Sequence, residues 1–208
     1  LNAKRIYWDT YERVSTATGQ TYPGVSSELK AIMNGKGALV MNYSGHGAPY
    51  SISHELVLRL NDFKEASGGK VPLWVIASCE ITPFDMLEET IGEEAMLNKK
   101  SGTIAFYSSA RAVYATQNGY LNNHFMRYVL GKDDQGHRYT FGDAARLCKI
   151  RLVTTGSGVT QTDLSYNKLK YALMGDPALT LSVPETKIVV DNYISQRIID
   201  VYYFHSKK

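Results

Sequence analysis

A thiol and an imidazole, each at the end of a short apolar run, are the groups in this sequence best suited to breaking a covalent bond. Cys79 closes the run Leu73–Ser78, whose members Leu73 to Ala77 are unbroken apolar residues lying between Pro72 and Pro83. His46 follows the run Ala38–Tyr43 and sits between Gly45 and Gly47. A cysteine becomes a nucleophile when a base lies near it in space, however far apart the two are in sequence. The amides of Gly47 and Cys79, freed from a sheet ladder by their turns, are placed to donate to a developing oxyanion. Gly45 and Gly47 let a substrate carbonyl approach without a β-carbon in the way. On local sequence alone a surface histidine and a buried strand-end cysteine account for the same residues equally well.

Both groups depend on strands to position them. Short apolar runs bounded by Pro and Gly suit strands buried on both faces, as in a parallel sheet. Ligands bind just beyond the carboxyl ends of such strands. If the two strands run parallel, His46 and Cys79 reach the same edge. The rest of the chain alternates in the same way. Lys4–Asp9 reads as a strand and Thr10–Gly24 as a loop. A helix starts at Ser26 or Ser27 and ends at Gly35 and Gly37. Ser53–Leu60 reads as a short helix with His54 and Glu55 on its exposed side, the alternative being that these two orient His46 or line the pocket, and Asn61–Lys70 reads as a polar turn. A helix over Glu88–Asn98, a strand over Thr103–Ser108 and a helix over Asn118–Leu130 follow. Thr140 and Asp143 resemble a capping box opening a helix that runs to about Val153. Thr154–Thr162 is a Ser/Thr/Gly-rich loop, and Leu169 and Leu173 have the i, i+4 spacing of a helix. Met174–Pro177 is a turn, fixed by Asp176 and Pro177, into a short strand Ala178–Ser182. Strands alternating with helices predict an α/β fold with a mostly parallel sheet covered on both faces.

Composition narrows the function classes. The chain has 208 residues, 44% of them hydrophobic, and a formal net charge of +3. The basic residues are scattered, so there is no nucleic-acid footprint, and no apolar stretch approaches the ~18 residues of a transmembrane segment. Two cysteines are too few for a disulfide framework. Cys148 shares a helix face with Phe141, Ala144, Ala145 and Leu152 and reads as a buried apolar filler. The chain opens with neither a start methionine nor a signal peptide, so it reads as a piece of something longer.

Several ordered motifs carry a resemblance over roughly residues 4 to 184. Asn42-Tyr43-Ser44-Gly45-His46-Gly47 closely resembles the Asn-Tyr-Thr-Gly-His-Gly of the gingipain-like (C25) cysteine peptidases. Gly175-Asp176-Pro177-Ala178-Leu179 resembles that family's closing motif. Ala77-Ser78-Cys79-Glu80 with Phe84-Asp85, and Gly102-Thr103-Ile104-Ala105 with Arg111-Ala112-Val113-Tyr114, resemble its C-terminal signal peptidases, the sortases of type IX secretion. The resemblance implies a caspase-like three-layer α/β/α sandwich over residues 1–184. Residues 185–208, with strand-like pieces at Lys187–Val190 and Ile198–Tyr203, are then a tail or the start of a following β module. It implies Cys79 as nucleophile, His46 as base and an oxyanion hole from the amides of Gly47 and Cys79.

The same resemblance implies polypeptide substrates bearing C-terminal signals, transfer of the acyl group to water or to an amine, secretion-system partners, and a place at the bacterial cell surface, outer membrane or periplasm. Relatives hold the histidine with a carboxylate from an earlier strand, which this chain begins too late to include. The missing helper leaves a second reading, a non-catalytic scaffold or binding module of a secretion machine. Glu80, Ser108, Ser109 and Arg111 are expected to line the substrate pocket, with Tyr50 in place of an aromatic that relatives carry after His-Gly. Asp85 is expected to hold the loop after Cys79 through backbone hydrogen bonds. No cofactor is implied. His46, His54, Cys79 and Glu80 lack metal-ligand spacing, and a structural calcium ion is possible but not indicated.

Overall fold

Short, largely apolar runs such as Val40–Ser44 and Leu73–Ala77 form the central strands, and the longer amphipathic stretches form helices on either side of them. The structure is a computed structural model that describes residues 2–17, 19–154, 166–184 and 200–205. In chain order come β1 (Asn2–Tyr7), a hairpin of β2 (Val14–Thr16) and β3 (Gly19–Thr21), and helix α1 (Pro23–Ala31). A wide helical turn then leads through Gly37 into β4 (Val40–Ser44). Three two-residue strands follow, β5 (Gly47–Ala48), β6 (Ser51–Ile52) and β7 (Leu58–Arg59), and then α2 (Leu60–Lys64) and β8 (Leu73–Ala77). The remainder is α3 (Ile91–Leu97), β9 (Ala105–Ser109), α4 (Ala115–Val129), α5 (Phe141–Thr154), α6 (Asn167–Lys170), β10 (Tyr171–Gly175) and β11 (Asp200–His205).

Among the described residues the central sheet has six strands in the order β1-β11-β4-β8-β9-β10. All neighbours pair parallel except β10, which lies antiparallel on β9 at the edge. Side chains alternate across this sheet, as a strand requires. Met41, Tyr43, Trp74, Ile76 and Phe106 enter one core, with Val25 and Leu29 of α1, Phe63 of α2 and Ile91 of α3. Val40, Leu73, Val75, Ala105 and Tyr107 enter the other, with Leu121 and Phe125 of α4 and Phe141 and Cys148 of α5. The result is the three-layer α/β/α sandwich expected from the sequence. Trp74, wholly enclosed between Phe63 and Phe106, is a position where truncation to Ala would cost about 3–5 kcal/mol.

Several local expectations give way to other structure. Thr10–Gly24 contains the β2–β3 hairpin. Helix α1 starts earlier than the serines, because Pro23 suits a first helical position, where its missing N–H costs nothing. Ser53–Leu60 is not a helix: Ser53 (φ 68°) and Leu56 (φ 55°) are left-handed, and Ile52 and Leu58 pair across β6 and β7. The short helix lies instead at Leu60–Lys64, in the stretch expected as a polar turn. Leu169 and Leu173 share no helix face, since Leu173 belongs to β10 and Leu169 is 79% exposed. Ladder pairing with β9 overrides their spacing. The last edge strand is therefore Tyr171–Gly175, and Asp176 and Pro177 follow it rather than lead into one. Residues 200–205, expected in a tail or separate β module, form a strand of the central sheet between β1 and β4. The loop expected over Thr154–Thr162, apart from its first residue, and the strand-like piece Lys187–Val190 lie outside the described residues.

Candidate active site

The register of β4 against β8 positions the two reactive groups. Ser44 pairs with Ala77 in a parallel ladder, so His46 and Cys79 each lie two residues past a matched pair, at the same edge. The backbones stay joined just beyond the strands, where Gly45 N–H donates to the Ala77 carbonyl at 3.2 Å. His46 is exposed and Cys79 half-buried, so solvent reaches this edge.

Around Cys79 the chain is fastened to the end of β9. The Ser109 hydroxyl donates to the Ser78 carbonyl at 2.5 Å and accepts from the Glu80 N–H at 3.1 Å. One side chain thus brackets the cysteine from both sides. Glu80 N–H also reaches the Arg111 carbonyl at 3.3 Å, and Thr82 N–H reaches the Ser109 carbonyl at 3.1 Å. This clamp holds Glu80 at φ 48°, a left-handed conformation that costs a non-glycine residue on the order of 1 kcal/mol. The thiol points at the Val113 carbonyl, 3.6 Å away.

Around His46 the support comes from behind. The Tyr43 hydroxyl and the Ser53 N–H both donate to the His46 carbonyl, at 2.7 and 3.0 Å. Gly47 pairs with Ile52, and the neighbouring Ser53-to-His46 bond makes this a non-hydrogen-bonded pair, so the Gly47 N–H is turned away from β6. A β-carbon at Gly47 would collide with Ser78 Oγ and Ile81 Cδ1, which shows how closely this turn packs on the cysteine loop. The imidazole of His54 stacks on that of His46, with centroids 4.4 Å apart and planes 14° from parallel.

A cleft of about 400 Å³ is lined by Pro49, Glu80, Pro83, Asp85, Met86, Ala110 and Arg111; it includes Glu80, the residue after Cys79, but neither Cys79 nor His46. Arg111 forks onto Asp85 through bonds of 3.0 and 2.5 Å. This hydrogen-bonded pairing holds the Asp85 carboxyl below its ordinary range. Asp85 thus anchors the loop largely through a side-chain fork. Of the expected pocket residues, Glu80 and Arg111 line the cleft. Ser108 and Ser109 do not, because both are fully buried; Ser108 shares a 2.5 Å hydroxyl contact with Thr82, and Ser109 is the clamp. Tyr50 is not among the lining residues either; it is exposed, its hydroxyl donating to Glu88 at 3.2 Å. Sequence reasoning missed the bracketing by Ser109, because those contacts span 31 and 29 residues of the chain; of the two readings of His54, the structure gives the contact with His46 in place of the helix. Among the described residues there is no group of three or more His, Cys, Asp or Glu placed to hold a metal ion, and no helix long and apolar enough to cross a membrane.

A mostly parallel sheet sandwiched by helices is the caspase-like α/β/α fold. The chain belongs to peptidase family C25, whose profile matches residues 1–182, and this is a family of cysteine peptidases. Its fold is similar to that of the Arg-specific cysteine proteinase gingipain R (RgpB), with a TM-score of 0.63 and 18% identity over 75% of this chain and 36% of that one. It is equally similar to the complex of the pro- and mature domains of Porphyromonas gingivalis RgpB, with a TM-score of 0.62 and 18% identity over 75% of this chain and 37% of that one. The chain therefore spans little more than a third of the length of these relatives. A comparison with curated proteins finds no match.

Proposed function

We propose that this chain carries the catalytic centre of a cysteine endopeptidase and transpeptidase that removes C-terminal sorting signals from secreted proteins, as the PorU group of type IX secretion does. The observation that carries the catalytic part of this reading is the Ser44–Ala77 register, which leads His46 and Cys79 out of the sheet side by side. The narrower sorting role rests on the motifs around Cys79, Ile104 and Arg111, and with it come secretion-system partners and a cell-surface location.

In this mechanism the thiol turns from Val113 toward His46, which takes its proton. Catalytic hydrogen bonds commonly tighten only around a bound substrate. The sulfur attacks the scissile carbonyl carbon, and the amides of Gly47 and Cys79 hold the oxyanion. His46 then protonates the departing amine, leaving a thioester on Cys79. Water or an amine attacks the thioester, His46 takes the proton of the attacking group, and the thiol is regenerated.

The test is incubation of the protein with a polypeptide bearing such a signal, with and without a small primary amine such as glycine methyl ester. Mass spectrometry should find the N-terminal product as the free acid without the amine and partly as the amide with it. A Cys79→Ala variant that fully complements secretion and processing in cells would instead favour the non-catalytic scaffold.

A further inference from the structure

The geometry points to His54 as a positioning residue that fixes the ring plane of His46, on the reading that His46 serves Cys79 as a base. The two imidazoles lie face to face at 4.4 Å and 14°, although both residues are exposed. An exposed imidazole ordinarily turns freely about its last side-chain bond. A ring laid flat against it restricts that turn and keeps both nitrogens at the open rim of the stack. Among the described residues no carboxylate lies within ion-pairing or hydrogen-bonding distance of the His46 ring, so the stack is its orienting contact.

The turn that presents His54 is built at a cost. Ser53 and Leu56, on either side, both adopt left-handed backbone at φ 68° and 55°, a conformation uncommon outside glycine. Three sets of bonds hold it there. The Ser53 N–H donates to the carbonyl of His46 itself at 3.0 Å. The Ser53 hydroxyl accepts from the Glu55 N–H at 3.0 Å and donates to the Glu55 carboxylate at 2.8 Å. The Ser26 hydroxyl of α1 donates to the Val57 carbonyl at 2.6 Å. Backbone and ring of His46 are therefore both registered against one short, strained segment.

The test is the rate at which iodoacetamide alkylates Cys79 at neutral pH in the full chain, mapped by mass spectrometry, for wild type, His46→Ala, His54→Ala and His54→Phe. His54→Ala should slow alkylation roughly three- to tenfold, the rate equivalent of one ring-stacking contact. His54→Phe, which restores a flat ring without a titratable group, should return it to within about twofold of wild type. The thermal midpoint should be the same in both His54 variants, because the side chain is exposed. Wild-type speed in His54→Ala, or a Phe variant as slow as the Ala variant, overturns the inference. Wild-type speed in His46→Ala instead overturns the dyad on which it rests.

Discussion

Cys79 and Cys148 are the same residue type placed by opposite rules. Cys79 lies beyond the end of β8, half-buried at an open edge, with its backbone clamped by Ser109 and its sulfur near one carbonyl. Cys148 lies within α5, fully buried against the sheet, donating to the Ala145 carbonyl at 3.2 Å and sharing a 3.2 Å contact with the Tyr107 hydroxyl. Burial pushes the Cys148 thiol up to about 11, so at neutral pH it is a filler with a hydrogen bond. The contrast shows that chemistry in this fold is assigned by where an element stops. A helix face packed on a sheet closes over its thiol, whereas a strand end leaves one open to a partner from the next strand. The thiolate is the reactive form, and access decides whether it is used.

Replacing each thiol in turn sharpens the comparison most. Cys79→Ala should abolish peptide cleavage, while Cys148→Ala should leave it within about twofold and cost about 1 kcal/mol of stability through the lost Tyr107 contact, read by urea unfolding. Next in size is Gly47→Ala. Its new methyl group collides with Ser78 and Ile81 and displaces the proposed oxyanion donor, so on that proposal turnover should fall on the order of 10²- to 10³-fold.

Alkaline titration probes the closed thiol. The folded Cys148 thiol binds its proton more tightly than the unfolded one, whose ordinary value is 9.0. Its contribution to stability is therefore complete below about pH 9 and disappears as pH rises through about 11. The loss should be about 3 kcal/mol, and the difference from the profile of Cys148→Ala reads it together with its coupling to the Tyr107 and Tyr171 phenols, which burial also pushes up. Ser109→Ala removes the bracket around Cys79. Unfolding stability should fall by about 1–3 kcal/mol, and alkylation of Cys79 should slow while Cys148 stays unlabelled.

The open thiol was legible because strand ends announce themselves. Leu73–Ala77 is an uninterrupted apolar run bounded by Pro72 and Pro83, and Ala38–Tyr43 breaks at glycines. Short apolar runs between turn signals supply both strands, and the spacing of Phe141, Ala144 and Cys148 supplies the buried helix face. The illegible parts depend on pairing between distant segments. No local pattern tells that 200–205 enters the sheet between β1 and β4, or that Ser109 reaches Ser78 and Glu80 across 31 and 29 residues. Ser53–Leu60 misleads because Leu56 and Ser53 take left-handed backbone that their residue types disfavour, and only the contacts of that turn with His46 and α1 explain why it persists.

Whether the open thiol and the His46 imidazole lie within reach of each other is measured most directly by a short bifunctional alkylating agent. Treatment with 1,3-dibromoacetone at neutral pH, followed by peptide mapping, should yield one cross-linked product joining Cys79 to His46, with Cys148 unmodified. A reagent attached to Cys79 alone, or joined to Cys148 in the folded protein, would contradict the account.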